Sequence, residues 1–320
     1  MKPRVFITRK LDERAIATLR EKYDVRMWES ESVSVPRDVL LKEVAEADAL
    51  WTVLADSVDR ELFEAGRKLK IVANMAVGYN NIDLKAAKEN GVIVTNTPGV
   101  LTETTADLAF ALLLATARKL ISAEKEIRTG NWTSWAPMKF TGMDVGGATL
   151  GIIGMGRIGE AVARRAKGFD MRVLYHNRNR KLDAEAEHGF EFRELDSLLK
   201  EADFVVILAP YTPETVGLIG ARELGLMKKT GVLINVARGG IVDESALYDA
   251  LNNGTIWAAG LDVFEKEPVP LDNPLLTLPN VTVLPHIGSA SIKTRLAMMN
   301  LNAQAITDVL EGIEPENSVK

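Results

Sequence analysis

Over the first hundred positions the apolar residues gather in short runs. Val5–Thr8, Val25–Trp28, Ala49–Leu54, Ile71–Ala76 and Val92–Thr95 are such runs, several of them rich in β-branched side chains, and they read as strands. Leu11–Glu21, Pro36–Ala47 and Asp83–Asn90 lie between them with charges at helical spacing. Strands alternating with helices predict βαβ units, and therefore a parallel sheet with helices on both faces. Asn90-Gly91 reads as a helix C-cap before the fifth strand, and the turn cluster Asn96-Thr97-Pro98-Gly99 marks a crossing between domains.

A second series follows. Glu103–Leu120 is a strongly apolar helical segment, and Thr149–Ile153, Arg172–Tyr175, Phe204–Leu208, Val232–Val236 and Val281–Leu284 read as buried parallel strands, with Ala258–Asp262 as a further candidate. From Ser291 to Gly312, Ile292, Leu296, Met299, Ala303, Ile306 and Leu310 recur at spacings of three and four, an amphipathic helix with no strand of its own. Packing back on the first domain is the economical place for it.

Length and composition narrow the class. At 320 residues the chain exceeds the ~250–300 at which a single core stops growing, so two domains are expected. With 47% hydrophobic and 26% charged residues it is neither disordered nor fibrous. Thirty-nine basic residues against 44 acidic ones leave a net charge of −5, which argues against nucleic acid or an anionic membrane as a general partner. The absence of cysteine excludes a disulfide framework, a thiolate metal site and a cysteine nucleophile. The longest uncharged apolar run, Leu108–Ala117, has ten residues, against the ~20 needed to cross a bilayer. The N-terminus has no long apolar region, so neither a signal peptide nor a span is expected, and the expected location is cytoplasmic.

Gly154-Met155-Gly156-Arg157-Ile158-Gly159 is a G-x-G-x-x-G string placed directly after the apolar strand Leu150–Ile153 and opening the helical segment Glu160–Lys167. That context is what a dinucleotide-binding turn requires: Gly154 for the tight turn, Gly156 for close approach of a pyrophosphate, Gly159 for helix–strand packing. An empty βα turn is the alternative. The second strand of such a unit usually ends in an acid that holds the ribose 2′-hydroxyl. Here it ends in Asn177-Arg178-Asn179-Arg180-Lys181. An arginine fork suits a 2′-phosphate, so NADP(H) is favoured and NAD(H) stays open, the plain reading being a solvated basic loop.

Arg238, Glu267 and His286 each follow a predicted strand end, where open α/β sheets gather ligands. A 2-oxo acid needs a cation for its carboxylate and a proton donor for its carbonyl oxygen, tasks that suit Arg238 and His286. A carboxylate beside His286 favours the imidazolium form. Each of the three taken singly also reads as an ordinary loop residue. No histidine or acidic spacing suggests a metal.

Together with Asn74-Met75-Ala76-Val77-Gly78-Tyr79-Asn80-Asn81-Ile82-Asp83, Asn235–Gly240, Asp262–Pro268 and Pro285-His286-Ile287-Gly288, these strings resemble the D-isomer-specific 2-hydroxyacid dehydrogenases, in the same order over essentially the whole chain. Gly130–Pro137, with Trp132 and Trp135, and the basic Asn177–Arg180 loop resemble the glyoxylate/hydroxypyruvate reductase branch. The resemblance implies two Rossmann-like or flavodoxin-like parallel-sheet domains, a substrate domain of 1–98 and 290–320 around an inserted dinucleotide-binding domain, 99–289. It implies a homodimer with an arm, 119–148, reaching the neighbour. It implies Arg238 as the substrate arginine, Glu267 as the histidine's partner and His286 as proton donor. Leu54, Val77, Gly78 and the neighbour's Trp135 are implied at the substrate. Thr105, the glycine loop, the basic loop, Pro210, Val236, Ala237, Asp262 and Gly288 are implied at the cofactor. For Trp132 and Trp135, plain interface packing accounts for the residues as well. The activity implied is reduction of glyoxylate or hydroxypyruvate; another D-2-hydroxyacid dehydrogenase, or a nucleotide-sensing corepressor-like binding protein of the same fold, are the alternatives.

Overall fold

The computed structural model describes residues 2–319 and divides into two compact units, Met1–Leu101 with Ala290–Lys320, and Thr102–Ser289. The second unit is thus inserted in the sequence of the first.

The first unit carries β1 (Arg4–Ile7), α1 (Glu13–Lys22), β2 (Asp24–Met27), α2 (Arg37–Val44), β3 (Ala49–Thr52), α3 (Arg60–Ala65), β4 (Ile71–Asn74), α4 (Leu84–Glu89) and β5 (Ile93–Thr95). All its strand pairs are parallel, in the order β2-β1-β3-β4-β5. That is the doubly wound order, with its switch point between β1 and β3. Leu50, Leu62, Phe63, Val72 and Val94 centre one of its core clusters. Aspartates open three of the helices: Asp12, Asp59 and Asp83 each accept a first-turn N–H, satisfying a donor the helix itself cannot. Of these, the six-residue α3 was not anticipated from the pattern. The C-terminal helix Ile292–Leu310 lies in this unit. Its buried Asn302 donates through Nδ2 to the Ala73 carbonyl at 3.1 Å, and beyond it Val319 N donates to Val94 O at 2.8 Å.

The second unit begins with α5 (Thr102–Ala117) and α6 (Leu120–Arg128). Then come β6 (Thr149–Ile153), α7 (Arg157–Lys167), β7 (Arg172–His176), α8 (Leu182–His188), β8 (Glu191–Phe192), α9 (Leu195–Glu201) and β9 (Phe204–Ile207). It closes with α10 (Ala221–Leu226), β10 (Val232–Asn235), α11 (Glu244–Asn252), β11 (Ala258–Leu261) and β12 (Val281–Val283). The order β12-β11-β10-β9-β6-β7-β8, parallel throughout, places the switch point between β6 and β9. Consecutive strand residues alternate between two cores. Ile152, Val206 and Ile234 face Leu112 and Leu113 of α5 and Val162 of α7, while Ile153, Val205 and Leu233 face Leu198 and Leu199 of α9 and Leu247 of α11.

The single helix expected over Glu103–Leu120 is broken after Ala117. The returning chain caps it there: Met143 N donates to Ala117 O at 2.9 Å, and Lys119 turns to φ +52° before α6 starts. The edge strand β8 also escaped the sequence reading. It is two residues long and guarded by charge, with Glu191 held between Arg172 and Arg193 so firmly that its carboxyl falls to about 2.

Candidate active site

Three adjacent strands of the second unit, β10, β11 and β12, end in the residues singled out from the sequence. After β10, the buried Asn235 accepts from Ala237 N at 3.1 Å and donates to Arg238 O at 2.9 Å, closing a tight turn that fixes the Arg238 backbone. Gly239, next in line, packs so closely on the chain after β11 that a Cβ there would lie 1.8 Å from the Phe264 carbonyl carbon. Burial lowers the Arg238 guanidinium below its ordinary value, and the nearby Glu267 charge opposes that.

After β11 comes Asp262, 1% exposed, whose two carboxylate oxygens accept from Ile287 N at 2.8 Å and Gly288 N at 2.9 Å. Asp262 O also accepts from His286 N at 2.8 Å. One aspartate therefore shapes the whole histidine turn. Its burial raises its own pKa, a push that the two N–H bonds and the His286 charge only partly offset. His286 sits at φ +54°, a left-handed conformation uncommon for a residue other than glycine and one that packed surroundings must hold. Its Nδ1 lies 2.7 Å from Glu267 Oε2, and Glu267 Oε1 accepts from Phe264 N at 3.0 Å. Burial raises the Glu267 carboxyl, but the hydrogen bond and charge of His286, the Phe264 N–H and Arg238 together outweigh it, leaving a net lowering. A carboxylate bound to Nδ1 fixes the ring's orientation and leaves Nε2 as the nitrogen that meets a reactant.

The glycine loop leaves β6 as the sequence requires. Gly154 has φ +104°, and a Cβ there would come within 2.4 Å of Ala209 N at the end of β9. At Gly156, which caps α7, a Cβ would meet nothing within 4 Å, leaving room for a pyrophosphate over the helix N-terminus. Thr105, Asp262 and Gly288 lie together: a Cβ on Gly288 would be 3.3 Å from Asp262 Oδ2 and 3.4 Å from Thr105 Cγ2. Val236 and Ala237 stand at the end of β10, and Pro210, exposed beyond β9, accepts from Thr215 Oγ1 at 2.7 Å. These residues fit a bound dinucleotide.

In the basic loop Asn177 turns toward the glycine loop: Oδ1 accepts from Met155 N at 2.6 Å and Nδ2 donates to Met155 O at 3.2 Å, so it braces that loop. Arg180 is engaged as well, by Glu185 of α8, a carboxylate that strand-end spacing could not place there. Arg178 and Asn179 are exposed, and neither has a side-chain hydrogen bond or ion pair among the described residues. Of the other histidines, His176 ends β7 with Nδ1 3.0 Å from Arg193 O, and His188 ends α8 beside Glu187. Trp135 lies on the 119–148 arm, 78% exposed.

In the first unit, Leu54 sits in the turn after β3, and Val77 and Gly78 in the loop after β4. A buried polar network that the sequence did not disclose ties these loops. Asn74, 0% exposed, donates to Gly78 O at 3.1 Å, and Asn81 donates to Asp56 O at 2.9 Å. Asp56 in turn holds Val53 N at 2.9 Å, Thr8 Oγ1 at 2.5 Å and the Arg9 guanidinium at 3.0 Å. Both ion-pair partners, Arg9 and Asp56, are buried.

Among the described residues no group of histidine, aspartate and glutamate is placed to hold a metal ion, and no helix is long and apolar enough to cross a membrane.

Residues 110–288 match the family model of the D-isomer specific 2-hydroxyacid dehydrogenase NAD binding domain. The chain is 51% identical to a glyoxylate reductase of Korarchaeum cryptofilum and 51% identical to one of Pyrococcus horikoshii, covering 100% of this chain and 96% of each relative. Among solved structures, a Thermus thermophilus protein superposes with a TM-score of 0.92 at 44% identity, over 99% of this chain and 100% of that one. An NADPH-dependent glyoxylate/hydroxypyruvate reductase of Sinorhizobium meliloti, solved with NADP and malonate, superposes with a TM-score of 0.87 at 36% identity, over 100% of this chain and 97% of that one.

Proposed function

The chain belongs to the D-isomer-specific 2-hydroxyacid dehydrogenases, and from that premise we propose that it reduces a short 2-oxo acid, glyoxylate or hydroxypyruvate, to glycolate or D-glycerate. The observation that carries the reading is the His286–Glu267 pair at 2.7 Å, held at strand ends beside Arg238. A bound reduced nicotinamide supplies hydride for the carbonyl carbon. Arg238 grips the substrate carboxylate through its planar fork. As the carbonyl oxygen gains charge, His286 Nε2 gives it a proton, and Glu267 stabilises the imidazolium that does so. One hydride and one proton account for the alcohol formed.

Exposed Arg178 supports NADP(H) as the preferred cofactor, since a 2′-phosphate is its natural counter-charge. The 119–148 arm supports a homodimer: Trp132, Trp135 and Met138 are 56%, 78% and 77% exposed, more apolar surface than an isolated arm leaves in water without a partner. Trp135 would then reach the neighbour's substrate. Dependence on soluble nicotinamide agrees with a cytoplasmic location. The test is NADPH oxidation followed at 340 nm with glyoxylate, hydroxypyruvate, pyruvate and phosphohydroxypyruvate. Turnover highest with the first two is expected; NADPH binding with no turnover on any of the four would favour a nucleotide-sensing protein instead.

A further inference from the structure

We propose that Glu185 is a positioning residue for cofactor choice: it holds Arg180 against α8, so that Arg178 alone meets a 2′-phosphate. The proposal rests on the NADP(H) reading above.

The basic loop offers two arginines in sequence, but the structure treats them oppositely. Arg180 Nε donates to Glu185 Oε1 at 3.0 Å and its NH2 group reaches Oε2, a two-pronged pair. Its guanidinium carbon also lies 5.4 Å over the Phe192 ring of β8. Glu185 cannot follow Arg180 outward, because it is anchored from the core side. The Tyr175 hydroxyl, on a fully buried side chain, donates to Glu185 Oε1 at 2.5 Å and accepts from Lys181 N at 2.8 Å. To reach a phosphate, Arg180 must give up a charge-assisted fork and a ring contact for another anion. The exchange brings little net gain. Arg178 has no such partner to leave among the described residues, and its charge helps to lower the Glu214 carboxyl. Glu185 also adds its own negative charge beside the loop, which disfavours a second anion. Selectivity for NADPH is therefore set below what two arginines would give.

Measured both as the ratio of Kd for NADH to Kd for NADPH by fluorescence titration and as the ratio of kcat/KM for the two cofactors at low salt, Glu185→Gln should raise the NADPH preference about 3–10-fold with kcat held, and the gain should fade as salt screens it. Arg180→Ala should change the ratio less than about twofold, whereas Arg178→Ala should lower it at least about tenfold. If Arg180→Ala costs as much as Arg178→Ala, or Glu185→Gln leaves the ratio unchanged or lowers it, the proposal is overturned. Should Glu185→Gln fail to fold, Tyr175→Phe, which removes the anchor and keeps the ring, must shift the ratio in the same direction, and the Arg180→Ala result decides independently. A ratio unmoved by Arg178→Ala overturns the NADP(H) reading itself, a different failure.

Discussion

A carboxylate is gripped best by a planar fork in a site stripped of water; burial strips water from the Arg238 guanidinium, and the Glu267 charge opposes the lowering that burial causes. Replacing Arg238 with Ala removes a bidentate charge-assisted pair, so kcat/KM for the 2-oxo acid should fall at least ~100-fold. A loss under about fivefold would take Arg238 out of the site. His286→Asn should cost about 10²–10⁴-fold in kcat while NADPH still binds, since general acid catalysis contributes that much. Asparagine also tolerates the left-handed backbone that His286 adopts, so the loss reports chemistry rather than strain. Glu267→Gln removes the carboxylate charge that Nδ1 meets at 2.7 Å and should lower kcat about tenfold or more while KM for NADPH holds; an unchanged kcat would show that the pair does not serve proton transfer. The folded Glu267 carboxyl lies below its ordinary value, so the pair stabilises the fold at neutral pH, a contribution lost only as pH falls through that lowered value.

At the level of elements, the loops after β3 and β4 owe their shape to side chains rather than to regular structure. Asn81 joins them by donating to Asp56 O. Removing it with Asn81→Ala should raise KM for the 2-oxo acid about tenfold, at a cost near the ~1 kcal/mol of one hydrogen bond, and leave KM for NADPH unchanged. A matching rise in KM for NADPH would mean general loosening instead. Arg9→Met, by contrast, strands the buried Asp56 charge and should cost about 3–5 kcal/mol in chemical denaturation. These elements also show what a sequence displays. The strands were legible because a strand buried on both faces is an unbroken apolar run, and the glycine turn because its context is local. Arg238, Glu267 and His286 stood out because strand ends are where such sheets collect chemistry. The Arg9–Asp56 pair and the Glu185 clamp were not legible, because each joins residues whose proximity depends on tertiary packing. The break after Ala117 was hidden for the same reason, its cause being a chain segment that returns at Met143.

For the whole molecule, the exposed apolar side chains Trp132, Trp135 and Met138 of the arm are the feature that calls for a partner. If it joins two copies, replacing Trp132, Trp135 and Met138 by Ser should shift sedimentation from dimer to monomer at micromolar concentration. The change should also raise KM for the 2-oxo acid if Trp135 lines the neighbour's pocket. A monomeric unmodified protein, or a triple variant that stays dimeric, would remove the arm from the interface.

The bond from Asn302 to Ala73 spans 229 positions, and that separation acquires a meaning during synthesis. Residues 2–101 leave the ribosome before the inserted unit, and the helix that covers β4 only after it. At about 5–20 residues per second, some ten to forty seconds pass in which that sheet face is bare while the inserted unit is already long enough to fold. The chain is therefore born in an order that finishes its middle before its beginning. Nascent chains stalled near residue 289 should be cleaved by protease within the first hundred residues and resist it in the inserted unit; equal resistance in both would show that the first unit closes without its final helix.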